Sequence, residues 1–210
     1  MLIADKPSWL PLYGRDFSAD VSMPKDWDIQ VLNLAKTRSI DTILDGDSPT
    51  SLEKSGTKIP ISVVMGEVIS TELPWLYKVY ENEMLEFSSR AFGTALFKCN
   101  GVDDSININL VRGVSGRYEW HLDTNPVTGL LFAETLDSDE GGALVFRKFE
   151  EEYRIQPKRG MFYCFDARDI PHAVEPLKVA RTRTSIPMNY YLTEDNSGRT
   201  DELNEYLRKS

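Results

Sequence analysis

Residues 160–192 read GMFYCFDARDIPHAVEPLKVARTRTSIPMNYYL, and the texture of this stretch decides the fold. Three runs rich in aromatic and β-branched residues, GMFYCFD (160–166), HAVEP (172–176) and RTSIPMNYYL (183–192), are divided by turn-forming groups such as ARDIP (167–171). Runs of that length and composition read as strands. Toward the N-terminus, GALVFRKF (142–149) and SININLV (105–111) continue the pattern, the latter alternating Ile106, Ile108 and Leu110 with Asn107 and Asn109. SGR, DTNP, DSDEGG and KRG supply the turns between them. Short strands at such regular spacing predict an antiparallel sandwich or barrel.

The first half of the chain reads differently. From about Asp26 to Leu44 the residues Trp27, Ile29, Val31, Leu32, Leu34 and Ala35 fit one broad helical face, and DGDSPTS (45–51) follows as a turn. A second helix is predicted to start at Ser70-Thr71-Glu72, with a hydroxyl cap and Pro74 in the first turn. Its apolar residues Leu73, Leu76, Tyr77, Tyr80, Met84 and Phe87 recur at three and four until Gly93 offers a stop. Helices first and a β-sandwich second is the expected order, the helices packing on the sheet.

Bulk properties narrow the function. A chain of 210 residues with no internal repeat and no Gly/Ser/Pro linker reads as one domain spanning 1–210. Lys and Arg total 24 against 33 Asp and Glu, a formal net charge of -9, which disfavours nucleic acid and anionic membrane as partners. Cys99 and Cys164 form no disulfide framework and are expected to be buried thiols. No apolar run approaches the roughly 18 residues of a membrane helix, so the expectation is a soluble, cytoplasmic chain.

The chemistry gathers around two histidines, the chain's whole complement. In EWHLDT (119–124), His121 and Asp123 are two apart, so on a strand they share a face and can grip one metal ion. His172 opens another predicted strand 51 residues later, and antiparallel pairing can bring it alongside. Two imidazoles and one carboxylate form the facial triad that suits non-haem Fe(II) and leaves three positions open. A surface Asp beside a strand-end His would look the same in isolation. Downstream, Arg181, Arg183 and Ser185 fall two apart on one strand face. An inward Arg needs an anion, and its planar fork fits a carboxylate; a solvated basic edge strand is the plain alternative.

The order His-x-Asp, an acidic turn with EGGALVF, then PKRGMFYCFDARDIPHAVEPL and an Arg-x-Ser strand resembles the Fe(II)/2-oxoglutarate-dependent oxygenases over roughly residues 100 to 193. The resemblance implies a mainly β, α+β fold: a double-stranded β-helix (jelly roll, cupin-like) over about 96–193, helical support over about 1–95 and a C-terminal helix over about 199–208. It implies iron ligands His121, Asp123 and His172, with 2-oxoglutarate and O2 as co-substrates. It makes Arg183 with Ser185 the partner of the 2-oxoglutarate distal carboxylate, and Arg181 the second candidate. Phe132-Ala133-Glu134 stands where many members carry Tyr-Leu-Asn. Trp120 before His121 and the SIPMNYY strand are most similar to enzymes that hydroxylate or halogenate free amino acids and related metabolites. Halogenases of that group have a small residue where Asp123 stands, so hydroxylation or desaturation of a small molecule is implied, with release of succinate and CO2. Asn107, Asn109, Tyr118, Trp120 and Asn189 are the candidate substrate contacts. A protein or peptide hydroxylase and a cupin-like metal-binding protein are the other readings, and the oligomeric state is open, a homodimer included.

Overall fold

The computed structural model of the chain describes residues 6–196. The elements run β1 (Leu12–Asp16), α1 (Trp27–Arg38), β2 (Ile40–Asp45), β3 (Lys58–Val64), α2 (Gly66–Glu72) and α3 (Pro74–Val79). A π-helical turn (Tyr80–Met84) leads into α4 (Leu85–Phe92), β4 (Phe97–Lys98) and α5 (Val102–Ser105). Then come β5 (Ile108–Arg112), β6 (Tyr118–His121), β7 (Val127–Phe132), β8 (Leu144–Lys148), β9 (Glu151–Ile155), β10 (Met161–Asp166), β11 (His172–Val174) and β12 (Thr182–Tyr191).

The strands make two facing antiparallel sheets, as a double-stranded β-helix requires. The larger has the order β1-β10-β7-β12-β5-β3-β2, with β4 also on β12, and the smaller is β6-β11-β8-β9. Period-two alternation sorts the side chains of the larger sheet. Ile108 and Leu110 of β5, Leu131 of β7, Phe162 and Cys164 of β10, and Ile186, Met188 and Tyr190 of β12 pack against Trp27, Val31, Leu76, Tyr80 and Phe87 from the helices. Their neighbours Leu130, Phe132, Tyr163 and Phe165 point the other way and meet Leu144, Phe146 and Ile155 of the smaller sheet. Both faces of β7 (VTGLLF) are therefore buried along its whole length, with Thr128 its one polar side chain.

Two expectations about the first half are corrected. The helix expected to reach Leu44 ends at Arg38; Ser39 turns extended, and Ile40–Asp45 pairs with Lys58–Val64 as strand. Together with β1, which pairs β10, three strands of the first 64 residues belong to the larger sheet, so helices do not simply precede strands. The second helix begins at Gly66, and its chain breaks at Leu73 before Pro74 takes the first position of α3. Ser70 and Thr71 do not cap it: both hydroxyls donate back to the Glu67 carbonyl. Gly93 does stop α4, in the left-handed region at φ 66°.

Cys99 and Cys164 are buried thiols joined in no disulfide. The C-terminal helix expected at 199–208 lies outside the described residues. Among the described residues, no helix is long and apolar enough to cross a membrane.

Candidate metal centre and its cleft

β6 and β11 meet with His121 directly opposite His172, and Tyr118 opposite Val174. Three steps along β6 therefore face two along β11. This is a β-bulge, the device that re-aims side chains beside functional sites. Because of it Tyr118 and His121, three apart, both reach one cleft, with ring centroids 5.0 Å from each other. The rings of His121 and His172 lie 4.2 Å apart. Asp123 sits past the end of β6 on a loop, not on the strand as the spacing suggested. It stays close because the Leu122 N–H donates to Thr50 O (3.0 Å) and its own N–H to Ala167 O (2.9 Å).

The ligand atoms of His121, Asp123 and His172 all lie within 4.8 Å of one another, a spacing that one metal ion can bridge. Asp123 Oδ1 is 3.3 Å from His121 Nε2, and Oδ2 is 3.7 Å from His172 Nε2. On the far side of each ring, Nδ1 meets a backbone carbonyl, Glu119 O at 2.8 Å for His121 and Ile170 O at 3.1 Å for His172. A carbonyl only accepts, so each Nδ1 carries a proton, and either ring when neutral turns its Nε2 lone pair inward. Burial, helped by the nearby His121, pushes His172 down to about 4. Burial also resists charge on His121, but the Asp123 carboxylate outweighs it and raises that imidazole. Asp123 is held far below the usual carboxylate range: burial opposes this, and His172, His121 and the Thr128 hydroxyl overcome it.

Arg183 enters the same cleft from β12 and is 2% exposed. Its Nε donates to Gly142 O (2.8 Å) and its Nη1 to Ser185 Oγ (2.9 Å), while the guanidinium lies over the Phe132 ring. Its Nη2 is buried with no hydrogen-bond partner. A buried cation with unused donors is costly until an anion reaches it, so the residues present fit a carboxylate ligand as well as a metal.

The other expected residues divide. Asn107, Asn109, Tyr118, Ser185 and Asn189 all line the cleft, a cavity of about 140 Å3. Asn107 and Asn109 are not the solvent face of their strand: they point inward, away from the helices. Trp120 does not join them. It faces the outer side of the smaller sheet, where the Arg147 guanidinium covers its ring at 4.2 Å, because the bulge turns its two neighbours inward instead. Arg181 also stays outside. It precedes β12, in a turn closed by its N–H to Val179 O, and pairs at the surface with Glu140 (2.6 Å) and Glu134 (3.8 Å).

Several cleft residues were missed in the sequence. Thr128 on β7 donates to Asp123 Oδ2, and Asn125 Nδ2 donates to Thr128 Oγ1 at 2.8 Å. Ser48 and Thr50 line the rim from the loop joining β2 to β3. That loop is strapped to β6 by Leu52 N–H to Trp120 O (2.7 Å), Ser51 Oγ to the buried Glu119 (2.7 Å) and a two-pronged Arg117–Glu53 pair at 2.6 and 3.2 Å. Only the x-Asn-Pro-Val-Thr spacing after Asp123 offered a signal, and it reads equally well as turn chemistry.

A double-stranded β-helix with two His, one carboxylate and a buried Arg converging in its mouth defines the non-haem iron oxygenase class. Residues 106–191 match the model of the 2OG-Fe(II) oxygenase superfamily, and this match together with the His121, Asp123 and His172 cluster supports a 2-oxoglutarate-dependent oxygenase that uses Fe(II) and O2. No curated protein matches the sequence. Among solved structures, an oxidoreductase of the 2OG-Fe(II) oxygenase family from Burkholderia pseudomallei superposes with a TM-score of 0.65 at 16% identity, covering 90% of this chain and 89% of that one. A prolyl hydroxylase from Trichoplax adhaerens, in complex with a hypoxia inducible factor oxygen degradation domain peptide fragment, gives 0.63 at 18% identity, covering 87% and 84%. SnoN, an alpha ketoglutarate dependent epimerase from nogalamycin biosynthesis, gives 0.60 at 11% identity, covering 86% and 77%. At these identities the likeness is one of fold.

Proposed function

We propose that the chain hydroxylates an unactivated C–H bond of a small molecule, a free amino acid or related metabolite, and works as one oxygenase domain. The observation that carries the reading is the buried Arg183, whose unpartnered Nη2 lies in the same cleft as the His121, Asp123 and His172 cluster. In this reading those three residues hold the iron. Arg183 and the Ser185 hydroxyl bind the distal carboxylate of 2-oxoglutarate. Iron and 2-oxoglutarate together supply the oxidising power, with succinate and CO2 released. The protein's own tasks are to aim one C–H bond and to keep bulk water out. Asn107, Asn109 and Asn189 bring amide donors and acceptors to the cleft wall, and Tyr118 adds an aromatic edge. These groups suit a compact, polar substrate.

A second reading, a peptide substrate, is favoured by one feature. A groove of about 900 Å3 runs between β2, β3, α2 and α5 and shares Leu44, Asn107, Asn109 and Tyr118 with the cleft, so a longer chain could lie in it with one residue at the metal. The deciding experiment is anaerobic loading with Fe(II) and 2-oxoglutarate, then succinate release on exposure to air with a panel of free amino acids and with a peptide library. Substrate-dependent succinate from the amino-acid panel supports the first reading. Turnover of peptides alone replaces it with the second.

A further inference from the structure

We propose that Thr128, itself oriented by Asn125, is a positioning residue that makes Asp123 a one-oxygen ligand, an inference that rests on the metal site proposed above. The hydrogen bonds run in one direction only. Asn125 Nδ2 lies 2.8 Å from Val127 O and 2.8 Å from Thr128 Oγ1. The carbonyl can only accept, so the atom facing it is the amide nitrogen and not the amide oxygen. That nitrogen then donates its other hydrogen to the Thr128 hydroxyl. With its oxygen accepting from Asn125, Thr128 sends its own proton onward to Asp123 Oδ2. Asn125 and Thr128 are each 3% exposed, so water does not compete for these bonds.

The mechanical arrangement explains why such a clamp is needed. Asp123 rides on a loop, whereas Thr128 sits in the middle of the larger sheet, registered against Phe165 of β10 and Asn189 of β12. The clamp ties a loop-borne side chain to a strand paired on both sides. It also gives Oδ2, 3.7 Å from His172 Nε2, a hydrogen-bond donor, while Oδ1, 3.3 Å from His121 Nε2, has none from Thr128. A carboxylate gripping a metal through both oxygens would consume one more coordination position. A site that must admit a chelating 2-oxo acid and O2 has none to spare.

Full-length protein and Co(II), a spectroscopic probe in place of iron, test this without turnover. Thr128→Val keeps the shape of the side chain and removes the donor. Loss of a hydrogen bond to a ligand is expected to weaken Co(II) binding about 10–100-fold, and to dim the visible Co(II) band as the freed second oxygen raises the coordination number. Thr128→Ser restores the donor and should return both readouts to wild type, which a merely structural role for Thr128 would not produce. If Thr128→Val does not fold, Asn125→Ala carries the test, with a loss of Co(II) affinity expected in the same direction. Wild-type Co(II) affinity and band in a folded Thr128→Val, or unchanged affinity in Asn125→Ala where that variant carries the test, overturns the clamp alone. A wild-type protein that binds no Co(II) overturns the metal site and the clamp with it.

Discussion

Replacing Arg183 by Met should move the ligand-free and ligand-bound protein in opposite directions. Arg183 is 2% exposed, and among the charges around it only Glu134 favours its cationic form. Burial pushes its guanidinium from 12.5 down to about 9. At 1.36 kcal/mol for each tenfold in proton affinity, that depression corresponds to roughly 5 kcal/mol of unfavourable solvation in the ligand-free state. Met retains the aliphatic packing over Phe132 but removes the charge; it also strands the Gly142 carbonyl that now accepts from Nε, which offsets part of the gain. Replacing buried charge by an apolar side chain of similar volume gains about 1–4 kcal/mol in comparable cases, so the ligand-free Tm should rise by a few degrees. The ligand response should fall to about a third or less. Wild-type protein with redox-inert Mn(II) and 2-oxoglutarate at a hundred times its Kd gains about 2.7 kcal/mol by mass action, about 5–10 °C in Tm for a domain of this size. Removing one side of a buried charged pair costs about 2–5 kcal/mol, which weakens 2-oxoglutarate from about thirty-fold to several thousand-fold. Thermal unfolding of both proteins, with and without 2-oxoglutarate, reads both effects. A full 2-oxoglutarate shift in Arg183→Met would refute the assignment of the anion site, and the surface-paired Arg181 would then need the same scrutiny.

His121→Ala and His172→Ala should each abolish tight Mn(II) binding in a titration while leaving the far-ultraviolet circular dichroism of the sheets in place. Asp123→Gly should lose hydroxylation and succinate production; undiminished product would make Asp123 a bystander. Gly129→Ala should cost about 1–3 kcal/mol in chemical denaturation by overpacking, because a Cβ there would lie 2.6 Å from the Phe162 ring and 3.0 Å from Tyr190. Glu53 is held below 4.5 chiefly by its hydrogen bond from Arg117, with burial opposing. The unfolded chain therefore takes up this proton first as pH falls, and the stability Glu53 provides, present above pH 4.5, is lost as pH drops through its folded value. Glu53→Gln should show a shallower decline in Tm than wild type as pH falls below 4.5.

What could be read from the sequence follows from what periodicity encodes. Alternation says which residues share a face, and so the pattern by itself separates Ile106, Ile108 and Leu110 from Asn107 and Asn109. It does not say which face is inside. In a sheet covered by helices on one side and a second sheet on the other, both faces are buried, and the polar rows of β5 and β12 become the wall of the cleft. The helix over 26–44 was overextended for a related reason. Ile40, Ile43 and Leu44 continue the three-and-four spacing of α1, and only pairing with β3, thirteen or more residues onward, makes them a strand. Such long-range pairing overrides local pattern. The short LYGRD strand is likewise a strand because β10 offers it a partner. Arg183 could be preferred over Arg181 through the Arg-x-Ser pattern, but the reason it is inside is that β12 starts at Thr182, one residue too late for Arg181. The bulge in β6 had no signature in EWH, so Trp120 was expected inside. Ligand residues announce themselves by type, since imidazoles and carboxylates in one motif have few structural uses. The groups that hold those ligands in place, the Ile170 and Glu119 carbonyls, Thr128 and Asn125, are ordinary residues whose role depends on where the backbone of another strand passes. That dependence is why the His121, Asp123 and His172 that cluster in this cleft could be picked out in the sequence and their supports could not.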